Sequence, residues 1–307
     1  MKKVIILLSV CFFLAVGCKD NKEVGAENVS NIEQANQIIT YTNNVIDYMN
    51  EVNSYLTRSE RAMKASIEAA KKKKAPSYLP SGPLFFNAGN KIKIEELTTP
   101  PTVLSEEEQM FFKEKVGYFR EQFNGLTKAI SDFKAYMKNE DYKDDSWAKA
   151  NEYAEIIEKN YQNCIDIRAE ISEKLDLVTD RAEGIILEDS PIKEAIFTVK
   201  HDLKLVNKLT DAFYEQAEGE NKVEELDKYY TELEANISKN KELYKELLEK
   251  EGKLSSYQSF YSSIEGNLGD YRKLLRNVKA NKKVSDSDIS NLNSKYNTLV
   301  GRYNSFI

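Results

Sequence analysis

The feature that most constrains this chain is an apolar stripe stepping alternately by three and four residues, repeated in segment after segment. The most regular example runs Phe112, Val116, Phe119, Phe123, Leu126, Ile130, Phe133, Met137. Steps of three and four keep one face of an α-helix apolar, so each segment needs a partner helix to cover that face. Ala35, Ile38, Thr42, Val45, Met49, Val52, Leu56 and Met63 form an earlier stripe, and Ala150, Ala154, Ile157, Tyr161, Cys164, Ile167, Ile171, Leu175 and Val178 a later one. A fourth carries Ile192, Ile196, Val199, Leu203, Val206 and Phe213, and a fifth Val223, Leu226, Tyr230, Leu233, Ile237, Tyr244 and Leu247. A sixth holds Leu254, Tyr257, Tyr261, Ile264, Leu268, Tyr271, Leu275 and Val278, and a seventh Ile289, Leu292, Tyr296, Leu299, Tyr303 and Phe306. The pattern predicts an all-α protein, an elongated antiparallel bundle of about seven helices with near-heptad seams. Tyrosine dominates the last three seams, and each buried hydroxyl there needs a hydrogen-bond partner.

Local signals mark the helix starts. Ser30-Asn31-Ile32-Glu33 and Ser105-Glu106-Glu107-Glu108 read as capping boxes, Ser285 to Asp288 as a further cap, and Pro191 as a proline at the first helical position. Lys71 to Lys74 close the first helix, where positive charge favours the macrodipole; a polyanion-binding tail is the alternative.

One break interrupts the helical pattern. Residues 75–104 hold five of the six prolines, the cluster Tyr78, Leu79, Leu84, Phe85 and Phe86, and the alternating run Lys91-Ile92-Lys93-Ile94. A connection this long without a helix of its own is usually functional or disordered. Its aromatics predict packing on the body; a ligand-facing lid is the alternative.

The first eighteen residues set the location. Lys2 and Lys3 precede a run from Val4 to Val16 that is too short to span a bilayer as a stable helix, and fits a secretory leader. It ends Leu14-Ala15-Val16-Gly17-Cys18, the small-residue-then-cysteine pattern of a bacterial lipobox. A thiol is required at that position, because the sulfur takes up a diacylglyceryl group as a thioether. We therefore expect residues 1–17 to be a signal peptide, Cys18 to be lipidated, 18–29 to be a flexible tether and 30–307 to be the helical domain. Two or three acyl chains anchor firmly where one is marginal. Lys19 follows the cysteine, so retention at the inner membrane by an aspartate at that position is not expected. Cys11 leaves with the leader and Cys18 is acylated, so Cys164 is the one thiol left and no internal disulfide forms. Its place on a seam predicts a small buried hydrophobe rather than a reactive group.

Loss of Lys2 and Lys3 takes the formal net charge from −6 to −8, which argues against nucleic acid as a partner. Two charged clusters are candidate contacts. Asp141, Asp144 and Asp145 could offer oxygens to a cation, but the EF-hand spacing is missing and helix capping explains them as well. Arg272, Lys273, Arg276 and Lys279, with Lys282 and Lys283, give the sixth helix a basic end: a solvated terminus, or a contact for an acidic or lipid-headgroup partner. The single histidine, His201, has no Cys or His neighbours in sequence, so a zinc site is not expected, and no cofactor motif is present.

Tyr142-Lys143-Asp144-Asp145 followed by Ala148-Lys149, and near the end Tyr296-Asn297, Val300 and Tyr303-Asn304-Ser305, resemble segments of the YiiG-like bacterial lipoproteins, a family of unknown function. The lipobox is in keeping with it. The resemblance implies a helical exported lipoprotein and brings no catalytic residues. The expectation is a non-enzymatic binding or scaffolding protein, held to the membrane by its acyl chains, with an envelope protein or glycan as partner. The alternative is a metal- or small-ligand-binding bundle.

Overall fold

The computed structural model describes residues 26–76, 79, 81, 94–281 and 283–307. The leader, Cys18, and Tyr78, Leu84, Phe85, Phe86, Lys91, Ile92, Lys93 and Lys282 lie outside the described residues. Eight α-helices are described: α1 Ala26–Lys71, α2 Glu106–Asn139, α3 Ala148–Ile186, α4 Lys193–Ala217, α5 Val223–Asn240, α6 Lys245–Lys250, α7 Leu254–Asn281 and α8 Asp286–Phe306. Short 3₁₀ turns occupy Ile94–Glu96 and Asp141–Lys143, and there is no strand among the described residues. The chain is an all-α helical bundle whose near-heptad stripes are its core.

Three details differ from the sequence reading. The first helix starts at Ala26, four residues before the capping box at Ser30, so Ala26 to Val29 are helix rather than tether. Ser30 Oγ instead accepts from Gln34 Nε2 at 3.5 Å. The fifth seam breaks into α5 and α6, with Tyr244 in the left-handed region at φ 61°. At the break, the Asn240 carbonyl accepts from the Leu243 amide at 2.9 Å and from the Tyr257 hydroxyl at 2.5 Å, where a continuing helix would give it the Tyr244 amide. Finally, the 30–307 stretch divides into two compact units, one of Ser30–Ala182 and one built on Glu183–Ile307.

In the first unit α1, α2 and α3 pack around Phe112, Val116, Phe119, Phe123, Val45 and Met49, all buried. Edge-on ring pairs Tyr41–Phe112, Tyr48–Phe119 and Tyr55–Phe123, at 5.6, 5.8 and 5.7 Å, ascend both helices together, so α1 and α2 run parallel. α3 runs antiparallel to both. Asn163 Nδ2 donates to Gln122 at 2.8 Å, Lys115 reaches Glu170 at 2.5 Å, Arg168 donates to Asn53 at 3.0 Å, and Lys71 reaches Glu158 at 3.1 Å. Parallel neighbours cannot be joined by a tight turn. The chain leaves α1 at Lys71 and must regain the level of Tyr41, about 45 Å back along the helix. That return explains the long proline-rich connection. Its far end packs on the body: Leu97 and Leu104 are buried, and the Tyr41 hydroxyl donates to the Leu97 carbonyl at 3.0 Å. Ser105 and Glu108 form the expected capping box at the start of α2.

The second unit is an up-down-up-down bundle of α4, α5, α7 and α8. α4 touches α5 and α8, and α7 touches the same two, so α4 and α7 stand on one diagonal. Antiparallel order follows from the cross-links: Asp202 with Asn236 and Asn240 between α4 and α5, Arg272 with Tyr230 between α7 and α5, Lys295 with Asp270 between α8 and α7. Tyr257, Tyr261, Tyr271, Tyr296 and Tyr303 are fully buried, as their seam positions require. Ser285 and Asp288, read from sequence as a cap, form a full capping box at the start of α8.

Candidate functional site

Three of the places where polar side chains cluster among the described residues are candidates: the turn between α2 and α3, the basic stretch of α7, and the core of the four-helix unit.

At the turn, the structure does not bring the three aspartates together. Asp145 is a capping residue. Its carboxylate accepts from the Tyr136 hydroxyl at 2.6 Å, the Trp147 amide at 3.0 Å and the Lys149 amide at 3.1 Å. The Tyr136 hydrogen bond, with the two amides, holds the Asp145 carboxyl below the usual carboxylate range. Asp141 opens the 3₁₀ turn and Asp144 caps its end, and both stay exposed. Among the described residues no group of three or more His, Cys, Asp or Glu is placed to hold a metal ion. The turn is tightly wound: Glu140, Ser146 and Trp147 all have positive φ, and the Trp147 ring stacks on Tyr142 at 4.5 Å between centroids. Tyr136 and Tyr153 extend the aromatic packing beneath it.

On α7 the basic residues pair with acids. Arg272 donates to the Tyr230 hydroxyl at 2.8 Å and pairs with Glu234, both on α5. Lys279 reaches Asp227 of α5 at 2.5 Å, and Lys273 lies 3.7 Å from Asp270 on its own helix. Arg276 is exposed. The expected basic patch is thus largely the rim of the α5–α7 contact, where cation and anion alternate across two helices.

The third place was not singled out in the sequence. Asp202 of α4 is wholly buried. Its Oδ1 accepts from Asn236 Nδ2 at 3.1 Å, and its Oδ2 from Asn240 Nδ2 at 2.9 Å and the Tyr261 hydroxyl at 2.8 Å. His201 Nδ1 lies 3.6 Å from Oδ1 on the solvent side, the imidazole being mostly exposed. Burial first, and then the neighbouring Asp202 charge, push the Tyr261 hydroxyl far above the usual phenol range, so it stays a donor. Three helices, α4, α5 and α7, are fixed to one carboxylate. A slip of any of them would leave a buried donor or the carboxylate unpaired, so the cluster sets register. The signal was readable: Asp202 stands three residues after Val199 and four before Val206, on the seam itself. Two residues earlier Lys200 is also buried, on the other side of α4, where it pairs with Glu183 from the end of α3.

Two further groups were read correctly or missed. Cys164 is buried, and that burial pushes its thiol up to about 12, which keeps it protonated and unreactive. Glu108, read from sequence only as a cap, also receives both guanidinium nitrogens of Arg181, at 2.8 and 2.9 Å. That pairing, foremost among its hydrogen bonds, holds the carboxyl at about 2.

Solved structures share this architecture. A protein of Bacteroides fragilis described only as alpha helical superposes with a TM-score of 0.59 at 18% identity, over 88% of this chain and 98% of that one. An uncharacterised DUF3829-like protein of Bacteroides thetaiotaomicron superposes with a TM-score of 0.52 at 16% identity, again over 88% and 98%. No family model matches the chain, and no curated protein matches it. At these identities the likeness is one of fold: the helical arrangement described above recurs in bacterial proteins that have no function assigned in their descriptions.

Proposed function

We propose that this chain is an exported bacterial lipoprotein, held at the cell envelope by acyl chains on Cys18, with a non-enzymatic binding or scaffolding role toward an envelope protein or glycan. The observation that carries the reading is the leader itself: Lys2 and Lys3, the apolar run to Val16, and the small residues before Cys18. The resemblance to the YiiG-like lipoproteins supports it. So does the use made of the buried ionisable groups, since Asp202, Lys200, Glu108 and Arg168 all bond to residues of neighbouring helices. Side chains committed in this way hold a frame for surfaces outside it.

The test is direct. The mature protein should begin at Cys18 and carry a diacylglyceryl mass increment with a further acyl chain, read by intact-mass spectrometry. Cys18→Ala should yield unlipidated protein that no longer sediments with membranes. A mature N-terminus elsewhere, or one without acyl mass, refutes the anchor. For the binding role, the chain from Lys19 immobilised by its N-terminus should retain a saturable component of envelope extract.

A further inference from the structure

We infer that the end of the three-helix unit where α1 begins rests on the bilayer, through the exposed side chains of Met110 and Leu177; this deepens the anchored reading above and rests on it. Met110 and Leu177 are the most exposed large hydrophobic residues described, at 58% and 66%. They come from different helices and meet at one level. Glu107 of α2 lies 3.6 Å from Lys174 of α3, and Glu108 pairs with Arg181 next to it. Met110 is one turn beyond Glu107, and Leu177 one turn beyond Lys174, so they are within about 10 Å of each other along the helix axes.

That level falls in the N-terminal third of α1. The Tyr41 ring sits against Phe112, two residues from Met110, and Tyr41 is only about 22 Å along α1 from Ala26. Seven residues lie between Cys18 and Ala26, and the eight steps of chain span at most about 28 Å. Acyl chains on Cys18 therefore tether this end and no other. The opposite end of α1 lies about 45 Å beyond Tyr41, and it is the end with the lysines. Lys71 and Lys72 there are paired with Glu158 and Glu68. The surface offered to the bilayer presents these two aliphatic side chains between exposed Glu106, Glu107, Glu114 and Glu173, and its occupant is the acyl–headgroup boundary of the membrane that already holds the anchor. Two aliphatic side chains would bind weakly alone, but the tether supplies a high local concentration, so they orient the unit rather than recruit it.

The lipidated full chain, reconstituted in phosphatidylcholine–phosphatidylglycerol vesicles with bromine-bearing acyl chains, tests this. Met110→Cys, Leu177→Cys and, as a distant control on α1, Lys64→Cys each receive one fluorophore. Cys164 does not compete, being buried with a raised pKa, and Cys18 is acylated. Labels at 110 and 177 should be quenched at least about threefold more strongly than at 64, as expected for side chains lying at the acyl boundary. Equal quenching with the protein sedimenting on vesicles overturns this inference and leaves the anchor standing. Protein that stays in the supernatant overturns the anchor and this inference together.

Discussion

At the scale of single residues, the second unit turns on one carboxylate. Asp202→Ala would strand the amide donors of Asn236 and Asn240 and the Tyr261 hydroxyl in the core, at a cost of about 3 kcal/mol or more. We expect a clear drop in the midpoint of urea unfolding, and a smaller one, about 1 kcal/mol, for Tyr261→Phe, which removes a single donor. Tyr271 provides the contrast. Its hydroxyl is buried without a hydrogen-bond partner among the described residues, so Tyr271→Phe should be neutral or stabilising by about 1 kcal/mol. Loss of stability on that change would show that the hydroxyl has a bound water or other partner. Glu108 supplies a pH signature. Its folded pKa, about 2, lies below its ordinary value of 4.5, so its contribution is full above pH 4.5 and is lost as pH falls toward 2. Glu108→Gln should therefore flatten the acid limb of the stability profile over that window and leave its shape near neutrality unchanged. The sequence showed Glu108 as the closing residue of a capping box, three after Ser105. It could not show Arg181, more than seventy positions away, folding back over it.

At the scale of helices, the seams were legible because burial imposes a period, and almost every seam residue named from sequence is in the core. Boundaries set by tertiary contacts were not. The split between α5 and α6 depends on the Tyr257 hydroxyl capturing the Asn240 carbonyl, and Tyr244 adopts a left-handed conformation that glycine would signal and tyrosine does not. Asp202 was overlooked because a charge on a seam breaks the pattern that identifies the seam. The contact between α2 and α3 rests on another small detail. A Cβ on Gly125 would fall 2.6 Å from Asn160 Nδ2. Gly125→Ala should thus forfeit the ~1 kcal/mol that alanine normally brings to a helix interior, and the pair Gly125→Ala with Asn160→Ala should recover it in a double-mutant cycle. Full additivity of the two changes would mean that the helices part without resistance.

At the scale of the whole chain, composition and pattern gave the class, an all-α bundle, and the structure resolved it into two units. The parallel course of α1 and α2 was beyond the sequence, since apolar stripes carry no direction. Only the length of the 75–104 stretch hinted at it. The return of about 45 Å needs at least about 13 extended residues, and the chain has about twice that many between Lys71 and Leu97. Removing about eight residues from that interval should leave the Tyr41–Phe112 ring contact intact. Removing about fifteen should abolish it, with a loss of cooperative unfolding in the first unit followed by circular dichroism.

The parallel pair also bears on the order in which the molecule comes together. Tyr41 meets Phe112 only after a loop of about seventy residues closes, a steeper entropic demand than the short turn between α2 and α3 makes. The α2–α3 hairpin can zip from its turn on its own, while α1 has nothing adjacent to fold against. Synthesis from the N-terminus delivers α1 first, amphipathic and unpartnered, and leaves it waiting until Phe112 and its neighbours emerge. The N-terminal helix is then the last to dock, and pulse-labelled hydrogen exchange during refolding should find the amides around Tyr48 protected after those around Phe123.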